Sequence, residues 1–290
     1  MNGILLIDKP RDWTSHDVVG KLRGILRERR IGHSGTLDPM ATGLLVVFIG
    51  RATRAVEFAE AHEKEYHAGL RLGMVTDTQD VTGTVLEQCD CAVTREKLEA
   101  VLPRFRGEIQ QIPPMYSAIK VQGKKLYEIA RKGGEVERKP RPVTISKLEV
   151  TGEENGDYLL DVVCSKGTYI RTLCHDIGGV LGVGGTMSAL RRVRAGQFSL
   201  ENAYTLEQVQ QAADAGRVEE LLLPVDALFS EYPAVTLTAK GEKRCRVGND
   251  YPVPETVAGT CRVYGEDGAF LALARAEQGI GKTIKSFYEV

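Results

Sequence analysis

Residues 43–50, GLLVVFIG, are apolar at every interior position and closed by glycine at both ends. A run this short reads as a strand buried in a sheet, not as a helix. The chain opens on a similar run, GILLIDKP, which Pro10 stops. Between the two, TSHDVVGKLRGILRERR reads as a helix. Thr14 or Ser15 can cap it, and Asp17 lies three residues after Thr14 in capping-box spacing. Val18, Leu22, Ile25 and Leu26 form one apolar stripe with Val19 beside it, and Arg27, Arg29 and Arg30 suit the negative end of the dipole.

Further along, RATRAVEFAEAH predicts a helix, and KEYHAGLRLG predicts a half-buried strand with Tyr66, Ala68, Leu70 and Leu72 on one side. TDTQDVTG is a turn-rich loop, and TREKLEAVLPRF a short helix with a Thr cap. PVTISKLEV and YLLDVVCSKGTYIRTL predict paired strands turning at Asn155-Gly156. That reading places Tyr169 and Arg171 two residues apart on one strand face. TLEQVQQAADAG is a helix with a glycine stop. From Tyr232 onward the segments AVTLT, TCRVYG, FLALARA and SFYEV are short and β-like, so a boundary is expected near residue 230.

The net charge of −1 hides a segregated distribution. Residues 9–54 hold nine Lys/Arg against four Asp/Glu, and residues 104–147 hold eleven against four. Such segregation can build a basic face on a neutral protein, although a charge run is also the ordinary dress of a solvated surface. Residues 107–141, rich in basic side chains and carrying Pro113, Pro114 and Pro140, read as a mobile arm laid across that surface.

Several classes are disfavoured. No apolar run is long enough for a signal peptide core or a membrane span, so an unexported, cytoplasmic protein is expected. The six cysteines are scattered, with Cys89 and Cys91 too close for the usual zinc spacing, so neither disulfide nor metal is expected. The run GGVLGVGGT resembles a phosphate loop in glycine content only, and no cofactor is expected.

Asp38, in HSGTLDPMATGLL, taken alone reads as a turn residue beside Pro39. Tyr66 and Tyr169 alone read as core aromatics, and Arg171 as half of a structural ion pair. An inward Arg171 needs an anionic partner, and Asp38 is a candidate.

Taken together, the segments IDKPRDWTSHDVV, GHSGTLDPMATGLL, KEYHAGLRLGMVTDTQDVTG, IPPMYSAIKVQGKKLYEIARKG and CSKGTYIRTLCHDIG resemble the TruB family of tRNA pseudouridine synthases. The likeness runs in order through almost all of the first 230 residues. Bacterial members of that family modify uridine-55 in the T loop of tRNA. The implied fold is α/β (α+β): a catalytic core, residues 1–229, on a mixed, mostly antiparallel sheet flanked by helices. A small β-rich PUA-like RNA-binding module, residues 230–290, would follow it. The resemblance makes Asp38 the essential carboxylate, as a nucleophile at ribose C1′ or as a base toward the ribose. Arg171 would orient it. Tyr66 would pack on the uracil and is a candidate base for its C5 proton. Tyr169 and Leu190 would line the base pocket, and His33 would fill the space left by the extruded uridine. Lys9, Lys124, Lys125, Arg131 and Lys132 are expected to contact RNA. The expected partner is tRNA, bound by a monomer. A synthase for another RNA, or a non-catalytic RNA-binding or RNA-folding protein, are the alternatives.

Overall fold

The computed structural model describes residues 1–121 and 123–288. In chain order the first part comprises β1 (Gly3–Lys9), α1 (Ser15–Leu26), β2 (Ile31–Ser34), β3 (Thr42–Ile49), α2 (Val56–Glu60), β4 (Lys64–Leu72), β5 (Met74–Thr76), β6 (Val85–Gln88) and α3 (Arg95–Val101). Then follow β7 (Gly107–Gln111), β8 (Lys120–Val121), β9 (Lys124–Lys125), α4 (Leu126–Ala130), β10 (Arg141–Glu154), β11 (Asp157–Cys164), α5 (Ile170–Leu181), β12 (Gly185–Ala195), β13 (Phe198–Ser199) and α6 (Leu206–Asp214). The C-terminal part holds β14 (Ala234–Thr236), α7 (Ala239–Arg246), β15 (Tyr251–Pro252), β16 (Gly259–Tyr264), β17 (Phe270–Glu277) and β18 (Ile280–Ser286).

The main sheet runs β1-β3-β12-β4-β11-β10-β7, with β2 beside β3 and β13 beside β12. Its pairings are antiparallel except at the short parallel contact of β12 with β3, where Arg191 and Arg192 face Thr42 and Gly43. Apolar clusters lie on both faces. One gathers Leu5, Ile7, Val18, Leu22, Val47 and Val209 beneath α1 and α6. Another gathers Leu37, Met40, Ala68, Leu70, Ile170, Leu173, Ile177 and Leu190 beneath α5. The uninterrupted apolar run of β3 is covered twice in its own right: Leu45, Val47 and Ile49 join the cluster beneath α1, and Leu44, Val46 and Phe48 join a third cluster with Phe198, Leu228 and Phe229.

Local chemistry sets several element ends. The Thr14 side chain accepts from the Asp17 N–H, and the Asp17 carboxylate accepts from the Thr14 N–H, completing the capping box of α1. Asn155 and Gly156 take φ of 53° and 81°, the left-handed pair that closes the β10–β11 hairpin. The glycine-rich stretch near residue 180 is a packing device. A Cβ on Gly178 of α5 would overlap the backbone of Gly184 and Gly185 entering β12.

Gly43 is constrained in two ways. Its φ is +97°, and a Cβ there would collide with the backbone carbonyl of Arg192 across the parallel contact. Gly43→Ala is expected to destabilise the fold by about 3 kcal/mol or more, through strain and separation of β3 from β12. Urea unfolding midpoints check this, and an unchanged midpoint would remove the contact from the list of structural constraints.

Four expectations need correction. The strand predicted to continue through Tyr169 and Arg171 stops at Cys164, and Ile170 begins α5. Gly167, at φ +83°, turns the chain, and Ile170, Leu173, Cys174 and Ile177 then recur at helical spacing on the buried side. The helix expected over RATRAVEFAEAH is a 3₁₀ segment, Gly50–Ala55, followed by the short α2. The arm is not mobile along its whole length, because β7 forms the edge of the main sheet against β10. Finally, the last strand occupies Ile280–Ser286 and reaches only the first residue of SFYEV, while Glu289 and Val290 lie outside the described residues.

The C-terminal strands form their own sheet, in the order β14-β16-β17-β18-β15, with α7 against it. Its aromatics Phe270 and Phe287 pack with Phe229 and Val225 of the preceding segment. Among the described residues, no helix is long and apolar enough to cross a membrane.

Candidate active site

The segment between β2 and β3 holds Asp38. It is pinned from the opposite side of the turn. The Leu37 N–H donates to the Ser15 hydroxyl at 2.9 Å, the Asp12 N–H donates to the Pro39 carbonyl at 2.8 Å, and Lys9 Nζ donates to the same carbonyl at 3.2 Å. Leu37, Met40 and Ala41 bury their side chains in the core. The carboxylate between them keeps 36% side-chain exposure and so opens toward solvent.

Arg171 meets it from the first turn of α5. Nε donates to Asp38 Oδ2 at 2.9 Å and Nη2 to Oδ1 at 3.2 Å, a two-point pairing that orients the carboxylate as well as neutralising it. The guanidinium is only 6% exposed. Two further donors are used: Nη1 donates to the Thr78 carbonyl at 3.0 Å and Nη2 also to the Tyr116 carbonyl at 2.9 Å. Asp80 Oδ2 lies 3.9 Å from Nε. Asp80 is itself buried, with Thr78 and Thr82 hydroxyls and the Thr82 N–H donating to it. The strand-face argument for Arg171 was wrong, yet the Asp38 partnership it served is present.

Tyr66 and Leu190 rise from neighbouring strands, where Ala68 pairs with Leu190 and Tyr66 with Arg192. Burial pushes the Tyr66 phenol up, while the charge of Arg192 pulls the other way. Arg192 is fully buried and donates to the carbonyls of Leu44 and Gly35, at 2.7 and 2.9 Å, so it also braces the loop leading to Asp38. Tyr169, just before α5, has its phenol pushed up by burial, with the Ser117 hydroxyl and Arg171 opposing. His33 sits on β2, half-buried, and burial followed by the charge of Arg192 lowers its pKa. A neutral imidazole suits stacking on a base.

The basic residues divide. Lys9, expected to touch RNA, is fully buried, and Nζ donates to the carbonyls of Pro10, Trp13 and Pro39 at 2.9, 2.6 and 3.2 Å. Burial brings its pKa down to about 8, with Asp38 the largest influence holding it up. In this conformation it braces the Asp38 turn and offers nothing to a phosphate. Lys124, Arg131 and Lys132 are exposed around β9 and α4, and Lys125 is half-buried. Lys125 Nζ and the Arg131 guanidinium lie 5.4 and 5.3 Å from the centre of the Tyr127 ring. Sequence reasoning missed Asp80, Gln111 and Arg192. Asp80 was hidden in a loop whose Thr and Asp residues all suit turns.

Among the described residues, no group of three or more His, Cys, Asp or Glu is placed to hold a metal ion. A partly exposed carboxylate locked by a buried guanidinium can act on an electrophilic carbon or accept a proton.

Comparison with known proteins bears on that chemistry. The model of the TruB family pseudouridylate synthase N-terminal domain matches residues 23–170, and that of the tRNA pseudouridylate synthase B C-terminal domain matches residues 171–230. The chain is 46% identical over 268 residues to the tRNA pseudouridine synthase B of Dechloromonas aromatica (strain RCB), covering 92% of this chain and 89% of that one. It is 49% identical over 249 residues to the protein of the same name from Alkaliphilus oremlandii (strain OhILAs), covering 86% and 82%. Among solved structures, a chain of a Cbf5-Nop10-Gar1 complex superposes with a TM-score of 0.76 at 28% identity, over 99% of this chain and 85% of that chain.

Proposed function

Since the chain belongs to the TruB family of pseudouridylate synthases, we propose that it isomerises uridine-55 in the T loop of tRNA to pseudouridine, with Asp38 as the essential carboxylate. The observation that carries the assignment to Asp38 is its two-point pairing with the buried Arg171, which leaves the carboxylate partly exposed. In the reaction the bond from uracil N1 to ribose C1′ breaks, the base turns, and C5 bonds to C1′. The C5 proton leaves and N1 ends protonated, so no electrons enter or leave.

Arg171 holds Asp38 toward C1′ and balances its charge. Tyr66 packs on the uracil. Its phenol stays protonated in the free enzyme, so to accept the C5 proton it must give up its own, matching the proton that N1 gains, and the charge of Arg192 favours that loss. Leu190 and Tyr169 close the pocket around the ring. His33 replaces the extruded base in the loop stack, offsetting the few kcal/mol that flipping costs. The enzyme works as a cytoplasmic monomer, and the terminal module, residues 230–290, adds RNA contacts in the manner of PUA-like domains. RNA binding without catalysis gives no use for a buried cation aimed at an open carboxylate, whereas a synthase for another RNA would use the pair equally and is separated by mapping the modified position.

The test is an unmodified tRNA transcript incubated with the protein and mapped for pseudouridine by chemical primer-extension stops. One new stop at position 55 is expected, and a stop elsewhere or none overturns the proposal.

Lys124, Lys125, Arg131 and Lys132 serve as phosphate contacts in this reading. Replacing all four by Gln is expected to weaken tRNA binding and flatten its salt dependence. If two of them touch phosphate, the slope of log affinity against log salt falls by roughly 1.5 to 2 units, through lost counterion release. Fluorescence titrations at several salt concentrations measure it. An unchanged slope in a folded variant would show that the arm only keeps a loop in solution.

A further inference from the structure

Gln111 is the last residue of β7 and is 2% exposed. Its side-chain amide lies against the backbone of Tyr169, 58 residues away in sequence. Nε2 donates to the Tyr169 carbonyl at 3.0 Å, and Oε1 accepts from the Tyr169 N–H at 2.8 Å. The amide thus occupies both polar groups of one residue, as a neighbouring strand would. Tyr169 is the residue from which α5 starts, and no side chain of its own caps the helix. Its carbonyl also accepts the first helical hydrogen bond, from the Leu173 N–H at 3.0 Å. Arg171 stands in that first turn.

The same segment touches the guanidinium directly. Five residues after Gln111, the Tyr116 carbonyl accepts from Arg171 Nη2. Pro113 and Pro114 lie buried between the two contacts, and their fixed φ makes the connection stiff. Immediately beyond it, the Ser117 carbonyl accepts from the Tyr127 N–H of α4, which ties in the basic end of the arm.

We propose that Gln111 is a positioning residue that fixes the start of α5, so that Arg171 presents its fork to Asp38 and the seating of the RNA-gripping arm is coupled to the geometry of the reaction. The proposal rests on the synthase reading above. Gln111 touches neither the carboxylate nor the substrate. It acts through Tyr169 and Arg171, and the Tyr116 carbonyl supplies the second tether. A misplacement of about 1 Å at a reacting group costs on the order of 10²-fold in rate.

The experiment uses the full chain, tRNA transcript tritiated at uracil C5, and two variants. Gln111→Glu keeps an acceptor for the Tyr169 N–H and loses the donor to its carbonyl, whereas Gln111→Leu loses both. The expected result is a split: the single-turnover rate constant at saturating tRNA falls about 30- to 100-fold, while the dissociation constant stays within about twofold and the protein remains folded by circular dichroism. The loss should be larger for Leu than for Glu. A rate constant within threefold of the parent in both variants overturns the proposal. So does a loss that matches the unfolded fraction, or one confined to affinity, since Gln111 would then serve the fold or the grip alone. Absence of tritium release by the parent protein would instead defeat the synthase reading itself, and the two failures cannot be confused.

Discussion

Asp38→Asn is expected to abolish tritium release from uracil C5 while leaving tRNA affinity within about tenfold, or 1.4 kcal/mol. Asparagine preserves the shape of the side chain and still offers one oxygen to the Arg171 fork. It removes the charge and the electron pair that would attack C1′ or take a ribose proton. Affinity should survive because phosphate contacts at exposed lysines and arginines dominate it, and Asp38 is not among them. Loss of the carboxylate should even ease anionic RNA toward the site, so a modest tightening is compatible with the reading. Single-turnover assays with enzyme in excess, paired with filter binding, separate the two quantities. Turnover near that of the parent would remove Asp38 from the chemistry and return it to the role of a turn residue beside Pro39.

Arg171→Met should be the next most damaging change, and it should act on rate and stability together. The guanidinium satisfies both oxygens of Asp38 and the carbonyls of Thr78 and Tyr116. Asp38 keeps 36% exposure and can recover water, which limits its share of the penalty. The carbonyls and the neighbouring buried Asp80 are less well placed to do so. A loss of about 3 kcal/mol in unfolding free energy is expected, at the low end of what breaking a buried pair costs. The rate at saturation should fall on the order of 10³-fold, because orientation and electrostatic stabilisation are removed together. Arg171→Lys keeps a charge without the planar fork, so it should recover part of the stability and little of the rate. If Arg171→Met retains a rate within tenfold of the parent while folded, the ion pair belongs to the scaffold alone.

Arg171 also shows how far the sequence could be read. Its need for an anionic partner follows from its apolar neighbours, and Asp38 was a reasonable candidate. The sequence reads as a strand where the structure has a helix start, because Ser165, Lys166, Gly167 and Thr168 break the apolar pattern without placing a capping side chain at the start of α5. Tyr169 supplies no capping side chain, and its backbone is held instead by the Gln111 amide from another element. A tether from 58 residues away leaves no local signature. Lys9 failed in the opposite direction. A lysine beside a proline at a strand end resembles a surface cation, and only the fold of the turn around Pro39 surrounds it with three carbonyls.

What the sequence alone determined lies within a few residues of itself. The Thr14–Asp17 box, the left-handed Asn155-Gly156 turn, the alternation of β4 and the apolar closure of β3 all depend on spacings of one to four residues, which periodicity and turn chemistry read directly. The succession of family-like segments pointed to Asp38, Tyr66 and Arg171 without showing how they meet. Their meeting is a tertiary result. Asp38 and Arg171 are separated by 133 residues, and any of many carboxylates could have answered that guanidinium. The choice is made by the strand order, which sets β3, β12 and β4 side by side, and by the seating of α5 against β12 through Gly178 and Gly185. Burial then removes the guanidinium from water and sets Asp38 where it pairs with the fork at two points, with Asp80 farther off at 3.9 Å, a selection that depends on which surfaces pack together and not on which residues are neighbours in the chain.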